Sequence, residues 1–211
     1  MMEREIGDRG FPIWLLGDSN PVNWESKLKT PLDPRHPARH NIWTALIDVI
    51  QDHLFRGCRT RFDTSKVFIR NAIEHARDKP RNKDMDWPLD VTKEVEILHG
   101  LLANHKPAIL FSFGAFAYEF SRRALRNDRK FAFGHWGAKN LGNAFREQIK
   151  GFQSGKVLVI PLLHISISGG RYLSSHREFC GDPDANYFNH VGQKVADLML
   201  QHHEALQIWI E

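Results

Sequence analysis

Four short, largely apolar runs recur along the chain, and they constrain its fold more than any other feature. They span residues 11–16, 66–71, 108–113 and 156–163, and they lack the strict apolar–polar alternation of half-exposed strands. Helical patterns separate them, so strands and helices alternate. This order predicts an α/β protein, and more finely a three-layer α/β/α sandwich around a central four-stranded, mostly parallel sheet.

The helices between these strands are predicted from capping residues and apolar spacing. Three helices are expected over residues 42–55, 115–126 and 187–203, and a fourth is expected to begin at Asp90. Asn41 and Asp90 are of the residue types that cap helix N-termini, and we predict that role for both. Residues 127–155 show no clear pattern, so His135 and Trp136 are interpreted either as part of a lid over a cleft or as a surface excursion.

Length and composition favour one globular domain over residues 1–211. Hydrophobic residues make up 42% of the chain, and no run approaches the roughly 20 apolar residues that span a bilayer. Residues 1–10 are charged and lack the apolar stretch of a signal peptide. With only two cysteines, no disulfide framework or iron–sulfur cluster is expected. We therefore expect a soluble, cytoplasmic protein with no membrane partner, whose oligomeric state the sequence leaves open.

The charge balance is mildly basic, with a formal net charge of +4. This permits a phosphate-backbone partner without requiring one, because each basic cluster is equally typical of a solvated surface. Histidine pairs occur at His36/His40 and His202/His203, but neither pair has a third ligand at a plausible spacing. No metal and no other cofactor is predicted.

Candidate site residues lie where the apolar runs stop. They are Gly17, Asp18, Ser19, Asn20 and Pro21 after the first run, Asn71 at the end of the second, Gly114 and Ala115 after the third, and His164 with Ser166 and Ser168 after the fourth. In parallel sheets, ligands bind in the crevice beyond the carboxyl ends of the strands. The pattern therefore predicts a site at this edge of the sheet that combines an Asp, amides, a His and hydroxyls.

These motifs, in this order, resemble the uracil-DNA glycosylase superfamily. Residues 17–21 correspond to the family's Gly-x-Asn-Pro or Gly-x-Asp-Pro turn, residues 67–74 to the pattern around the end of its second strand, and residues 164–166 to its His-Pro-Ser motif. Weaker matches are Asn41-Ile42-Trp43 and Pro107 to Ala117. The turn has one residue too many, so the family's catalytic position falls on Asp18, Ser19 or Asn20. Ile165 stands where the family has Pro.

The resemblance implies a DNA glycosylase that hydrolyses the N-glycosidic bond of a flipped uracil or another deaminated base. Asn20 would position the attacking water, Asp18 would be the stronger base, and His164 would donate to a carbonyl oxygen of the base. Asn71 would read the Watson–Crick edge, and Trp43 or Trp24 would stack on the base. Gly17, Ser19, Pro21 and Ser166 would complete the substrate site.

DNA is the partner that the resemblance implies, and residues 166–173 are the segment predicted to contact it. Ser168, Gly169 and Arg171 would approach phosphates, partly through backbone N–H groups. Tyr172 or Leu173 would fill the gap left by the flipped base.

Other interpretations remain open at this stage. Gly17-Asp18-Ser19 also resembles the first block of SGNH (GDSL-type) esterases, with Ser19 as nucleophile, but Tyr187 stands where that family has its base histidine and His190 lies three residues further on. A catalytically inactive nucleic-acid-binding relative is a third reading. Ordinary structural roles are also open: a turn for Asp18 and Asn71, and the core for Trp43 and His164.

Overall fold

The computed structural model describes residues 4–24, 27–33, 35–36, 39–164 and 172–210, without the side chains of residues 40 and 41. Its strands are β1 (Glu5–Ile6), β2 (Ile13–Gly17), β3 (Arg61–Phe62), β4 (Phe68–Asn71), β5 (Ile109–Phe113), β6 (Leu158–Leu162) and β7 (Trp209–Ile210). Its helices are α1 (Arg39–Ile42), α2 (Asp48–Cys58), α3 (Leu89–His105), α4 (Ala115–Ala124), α5 (Ala138–Gln148), α6 (Leu173–Cys180) and α7 (Tyr187–Gln201).

The central sheet has five strands in the order β1-β4-β2-β5-β6. Strands β4, β2, β5 and β6 are parallel, and β1 pairs with β4 in the antiparallel direction at one edge. The prediction of an α/β chain with a mostly parallel sheet is confirmed. The two-residue strand β1 is an addition to the four predicted strands, as is the small antiparallel sheet formed by β3 and β7.

Burial on both faces explains why β2, β5 and β6 are almost entirely apolar. In β2 the side chains from Ile13 to Leu16 are each exposed by 1% or less, although neighbouring side chains point to opposite faces. Every residue of β5 and β6 is likewise buried. The parallel strands therefore carry the residues at their carboxyl ends on a closely packed support.

The register of the sheet brings these carboxyl ends side by side. Gly17 at the end of β2 pairs with Asn71 at the end of β4, and Phe113 of β5 pairs with Leu162 of β6. Backbone hydrogen bonds extend the β2–β4 pairing by one step, from Ala72 N to Gly17 O at 2.9 Å. The first residues after each strand consequently meet along one edge.

Two predicted helix starts differ from the structure. Asn41 lies inside α1 instead of capping a helix, and the chain continues through a π-helical segment, Trp43–Ile47, into α2. Pro88 is the residue at the N-cap position of α3, which places Asp90 in the first turn. A carboxylate in the first turn interacts favourably with the positive end of the helix dipole. Asp is therefore common both in the first turn and at the N-cap, and the sequence pattern does not distinguish the two positions.

Helices α5 and α6 were not predicted from the sequence. Gly142 and the asparagines at positions 140 and 143 lower the intrinsic helix propensity of α5. Packing overrides that preference, because Leu141 and Phe145 are buried and the Phe145 ring lies 5.4 Å from that of Phe179 on α6. None of the described helices has both the length and the apolar character needed to cross a membrane.

Candidate functional site

A cavity opens at the carboxyl edge of the sheet, and most of the residues predicted for the site line it. It encloses an empty volume of about 440 Å³, part of which is open to solvent. The described residues that line it are Leu15, Gly17, Asp18, Ser19, Asn20, Leu32, His36, Ile42, Ile69, Asn71, Phe113 and His164. Residues from the ends of β2, β4, β5 and β6 thus share one cavity, as the parallel-sheet argument predicts.

Asp18 is the only carboxylate among these lining residues, and it is largely buried, with 9% of its surface exposed. Its Oδ2 accepts a hydrogen bond from Lys79 Nζ and lies 4.0 Å from His164 Nε2. Its Oδ1 is buried and has no hydrogen-bond partner among the described residues. A buried carboxylate oxygen in this state needs a donor, and the cavity is where a water molecule or a ligand can supply one.

Asn20 and Asn71 form an amide pair in the wall of the cavity. Asn71 Nδ2 donates to Asn20 Oδ1 at 3.0 Å, and Asn20 is 2% exposed. Gly17 makes room for this pair, since a Cβ at residue 17 would lie 2.6 Å from Asn71 Oδ1. The pairing fixes the orientation of the Asn71 amide, which keeps a second N–H and a carbonyl oxygen as polar groups.

His164 follows β6 and lies beside Asp18, with its Nε2 4.0 Å from Oδ2. Gly114, directly after β5, lies behind it: a Cβ at residue 114 would be 2.9 Å from His164 Cβ, and its φ of +95° is one that residues with side chains rarely adopt. Gly114 N donates to Leu162 O at 2.8 Å, which ties this turn to β6. The backbone therefore positions the imidazole, and a third of its side chain remains exposed.

Burial lowers the pKa of His164 below its ordinary value of about 6.5. The charge of Asp18 opposes this shift, whereas the charge of Lys79 adds to it. The imidazole is therefore mostly neutral at pH 7, with one ring nitrogen as donor and the other as acceptor. Neutral imidazole donates a hydrogen bond without placing a second positive charge beside Lys79.

His36 is a second buried histidine of the cavity, and it leads to a prediction about pH. Burial lowers its pKa, Asp33 opposes this, and the proximity of His164 reinforces it. Because the pKa values of both histidines are lower in the folded than in the unfolded chain, acid protonates the unfolded chain first. We expect the free energy of unfolding to be unaffected by these groups above pH ~6.5 and to fall as the pH decreases below it.

Urea unfolding at pH 7.5 and pH 5.5 measures this effect. The double variant His36→Asn, His164→Asn should lose less stability between the two pH values than the wild type. His190, whose pKa burial also lowers, is retained in both proteins and cancels in the comparison. An equal loss in the two proteins would contradict the prediction.

Three residues of the site were missed by sequence reasoning in these roles. Lys79, in the loop after β4, pairs with Asp18, although its sequence context resembles a solvated basic loop. Phe113, the last residue of β5, is the aromatic side chain that lines the cavity. His36 lies in a proline-rich stretch whose local pattern carries no sign of burial. Of the three, only Phe113 could have been predicted from the sequence, because it stands at the end of a strand beside Gly114.

Several predicted residues do not reach the cavity. Trp43 lines a separate groove, with the Arg39 guanidinium 5.1 Å from its ring centroid, and it is absent from the described cavity lining. Pro21 is exposed beyond the turn and is absent from the lining, as is half-buried Trp24. Tyr172 is half-buried directly before α6 and also lies outside the described lining. The predictions for Ser166, Ser168, Gly169 and Arg171 fall outside the described residues.

The serine and the histidine that the esterase interpretation considers do not share the cavity. Ser19 lines the cavity, whereas His190 lies on α7 with its ring 6.2 Å from that of Phe145 and is absent from the described lining. Within the described ranges, no group of three His, Cys, Asp or Glu side chains is placed to hold a metal ion.

The chemistry of the cavity must be inferred from its own side chains. No model of a known protein family matches the chain, and no curated protein matches it either. The cavity presents a carboxylate whose buried Oδ1 has no partner among the described residues, two amides, a neutral imidazole and one phenyl ring, so it offers both donors and acceptors to a small polar group or a water molecule.

Proposed function

We propose that this protein is a DNA glycosylase, which hydrolyses the N-glycosidic bond of a flipped uracil or a similar deaminated base. The observation that carries the proposal is the meeting of Asp18, Asn20, Asn71 and His164 in one cavity at the carboxyl edge of the sheet. These residues come from three different strand ends, and they are the ones that the resemblance to uracil-DNA glycosylases selects.

The base lies between Asn71, His164 and Phe113. The Asn71 amide offers both a donor and an acceptor to the Watson–Crick edge of a uracil-like ring. The neutral His164 donates to a ring carbonyl oxygen from the opposite side. Phe113 provides the aromatic contact that the sequence had suggested for Trp43, and stacking on a base is worth about 1–3 kcal/mol.

Asp18 activates the attacking water in this proposal. The water donates to the buried Oδ1, and its oxygen attacks C1′ of the deoxyribose while its proton passes to the carboxylate. The C1′–N bond breaks, and its electron pair leaves with the base. His164 stabilises the negative charge that develops on the base carbonyl, and the products are the free base and an abasic site.

Lys79 and Asn20 have supporting roles. Lys79 holds Oδ2 of Asp18, which leaves Oδ1 directed to the water. Asn20 keeps Asn71 in position through the hydrogen bond of 3.0 Å between their amides. Both contacts join side chains of the protein to each other, so they orient the site with little need for reorganisation during the reaction.

The proposal extends to the architecture. We propose a single domain built as a three-layer α/β/α sandwich, in which helices cover both faces of the sheet. Helix α3 packs against α4, and α2 packs against α7, as two separate pairs. The complete apolar burial of β2 and β5 supports helical layers on both sides.

A strand-cleavage assay tests the proposed function. Labelled oligonucleotides with one uracil, hypoxanthine or xanthine are incubated with the protein, as single strands and as duplexes, and abasic sites are cleaved by hot alkali. We expect cleavage at uracil and none in the matched oligonucleotide with thymine. Absence of cleavage on all three bases would overturn the proposal, and reaction of Ser19 with a fluorophosphonate would then favour the esterase reading.

A further inference from the structure

A second surface lies on the segment between α4 and α5 and on the first turn of α5. We call it the ring–cation surface and define it by Arg129, Lys130, Phe131, His135, Trp136 and Lys139. The sequence pattern left this segment unassigned, and the proposed reaction uses none of its residues.

A buried carboxylate holds this segment in place. Glu119 of α4 is completely buried, and its oxygens accept from Phe131 N at 2.9 Å and from Trp136 Nε1 at 2.8 Å. Arg122 and Arg123 supply the balancing charges at 2.7 and 3.1 Å. These hydrogen bonds pack the segment against α4 and fix the positions of Phe131 and Trp136 relative to it.

The rings on this surface are stacked and partly exposed. The rings of Phe131 and His135 are 4.3 Å apart and nearly parallel, at 11°, and Trp136 packs edge-on against both. The Arg129 guanidinium lies 4.7 Å from the Phe131 centroid. His135 remains exposed although one face of its ring is covered by Phe131. It therefore extends an ordered stack towards solvent.

Three basic side chains flank the rings, and one exposed carboxylate, Asp128, precedes two of them in the chain. Arg129, Lys130 and Lys139 are exposed, and none of them forms an ion pair within the described ranges of the chain. A rigid stack of rings surrounded by cations is complementary to a chain of unpaired bases joined by phosphates. Because Glu119 holds the Phe131 backbone and the Trp136 ring, little conformational entropy should be lost on association.

Lys79 joins this surface to the cavity. Its Nζ donates to Asp18 and lies 5.1 Å from the ring centroids of both Phe116 and Phe133. Phe133 belongs to the same turn as His135, and Gly134 N in that turn donates to Asn82 O at 2.8 Å. The carboxylate of the cavity and the turn that carries His135 are therefore in contact with the same side chain, Lys79.

From these contacts we infer that the ring–cation surface binds single-stranded DNA next to the base in the cavity. That the strand is DNA rests on the proposed function. The preference for a single strand comes from the surface itself, because a ring such as His135 can stack only on a base whose face is not covered by its neighbours in a duplex.

Binding of a short, labelled oligothymidylate, followed by fluorescence anisotropy, tests the inference without any catalytic step. We expect His135→Ala to weaken binding roughly 5-fold or more, because one stacked base is lost. The double variant Arg129→Gln, Lys130→Gln should lower the slope of log Kd against log salt by about 1.4, at about 0.7 for each phosphate contact.

Matched controls come from residues next to the amino ends of β5 and β6. His105→Ala removes another exposed histidine, whose ring packs 6.0 Å from that of Trp14, and Lys106→Gln, Lys156→Gln makes the same change in charge as the double variant. Neither control should change the affinity or its salt slope beyond the effect of net charge. Equal effects of the surface variants and their controls would overturn the inference, as would binding of the matched duplex at least as tightly as the single strand.

Failure of the inference and failure of the proposed function are distinguishable. Uracil excision with unaltered binding by the surface variants would refute the surface and leave the proposed function standing. Weakened binding by these variants without any excision by the wild type would refute the glycosylase and leave the surface as a single-strand binding site.

Discussion

Asp18→Asn is expected to lower the rate of uracil excision by about 10²- to 10⁴-fold, the usual contribution of a general base. The substitution keeps the size of the side chain but removes the acceptor that takes the proton of the attacking water. Single-turnover kinetics with excess protein measure the step directly and separate it from product release. The wild-type rate in this variant would refute the assignment of Asp18 as the base.

Two further variants test the residues that support Asp18 and Asn71. Lys79→Gln removes the ion pair with Asp18 but leaves the carboxylate, so we expect a smaller loss than in Asp18→Asn. Asn20→Ala removes the hydrogen-bond partner of the Asn71 amide. It should therefore slow excision by displacing the nucleobase that Asn71 binds. Retention of activity in Asp18→Asn combined with loss in Asn20→Ala would move the water-binding role to Asn20. Asp52→Asn, an exposed change on α2, controls for the loss of one carboxylate.

His164→Ala is expected to lower kcat for uracil excision by about 10²- to 10³-fold, the usual cost of removing one donor to a developing oxyanion. Burial lowers the pKa of His164, so the group that donates is the neutral imidazole. An uncharged donor of similar reach should replace it in part. We therefore expect His164→Gln to fall between the alanine variant and the wild type.

The comparison of His164→Ala with His164→Gln distinguishes this role from a structural one. If the histidine only filled space, the glutamine variant would show no advantage in kcat once both variants were shown to be folded. His105→Ala, which removes an exposed histidine near the amino end of β5 and away from the carboxyl ends that form the cavity, should leave the rate unchanged. Equal rates for His164→Ala and the wild type would contradict the proposed stabilisation of the leaving base.

The sequence alone determined where the polar residues of the site would meet. Continuous apolar runs are stable as strands only when both faces are covered, and parallel strands end at a common edge. Local pattern and elementary sheet geometry therefore sufficed to bring Asp18, Asn20, Asn71 and His164 together. The helix starts at Asn41 and Asp90 were less well predicted, because competing residues near a helix end satisfy the same backbone groups.

Only the tertiary structure decided which other side chains complete the site and what state they are in. The pairing of Lys79 with Asp18 joins residues 61 positions apart. Phe113 lines the cavity and Trp43 does not, which depends on the directions in which the end of β5 and the π-helical segment point their side chains. The lowered pKa of His164 depends on burial by residues distant in the sequence. Contacts of this kind leave no local signal, because they are set by packing between elements and not by the spacing of residues within one.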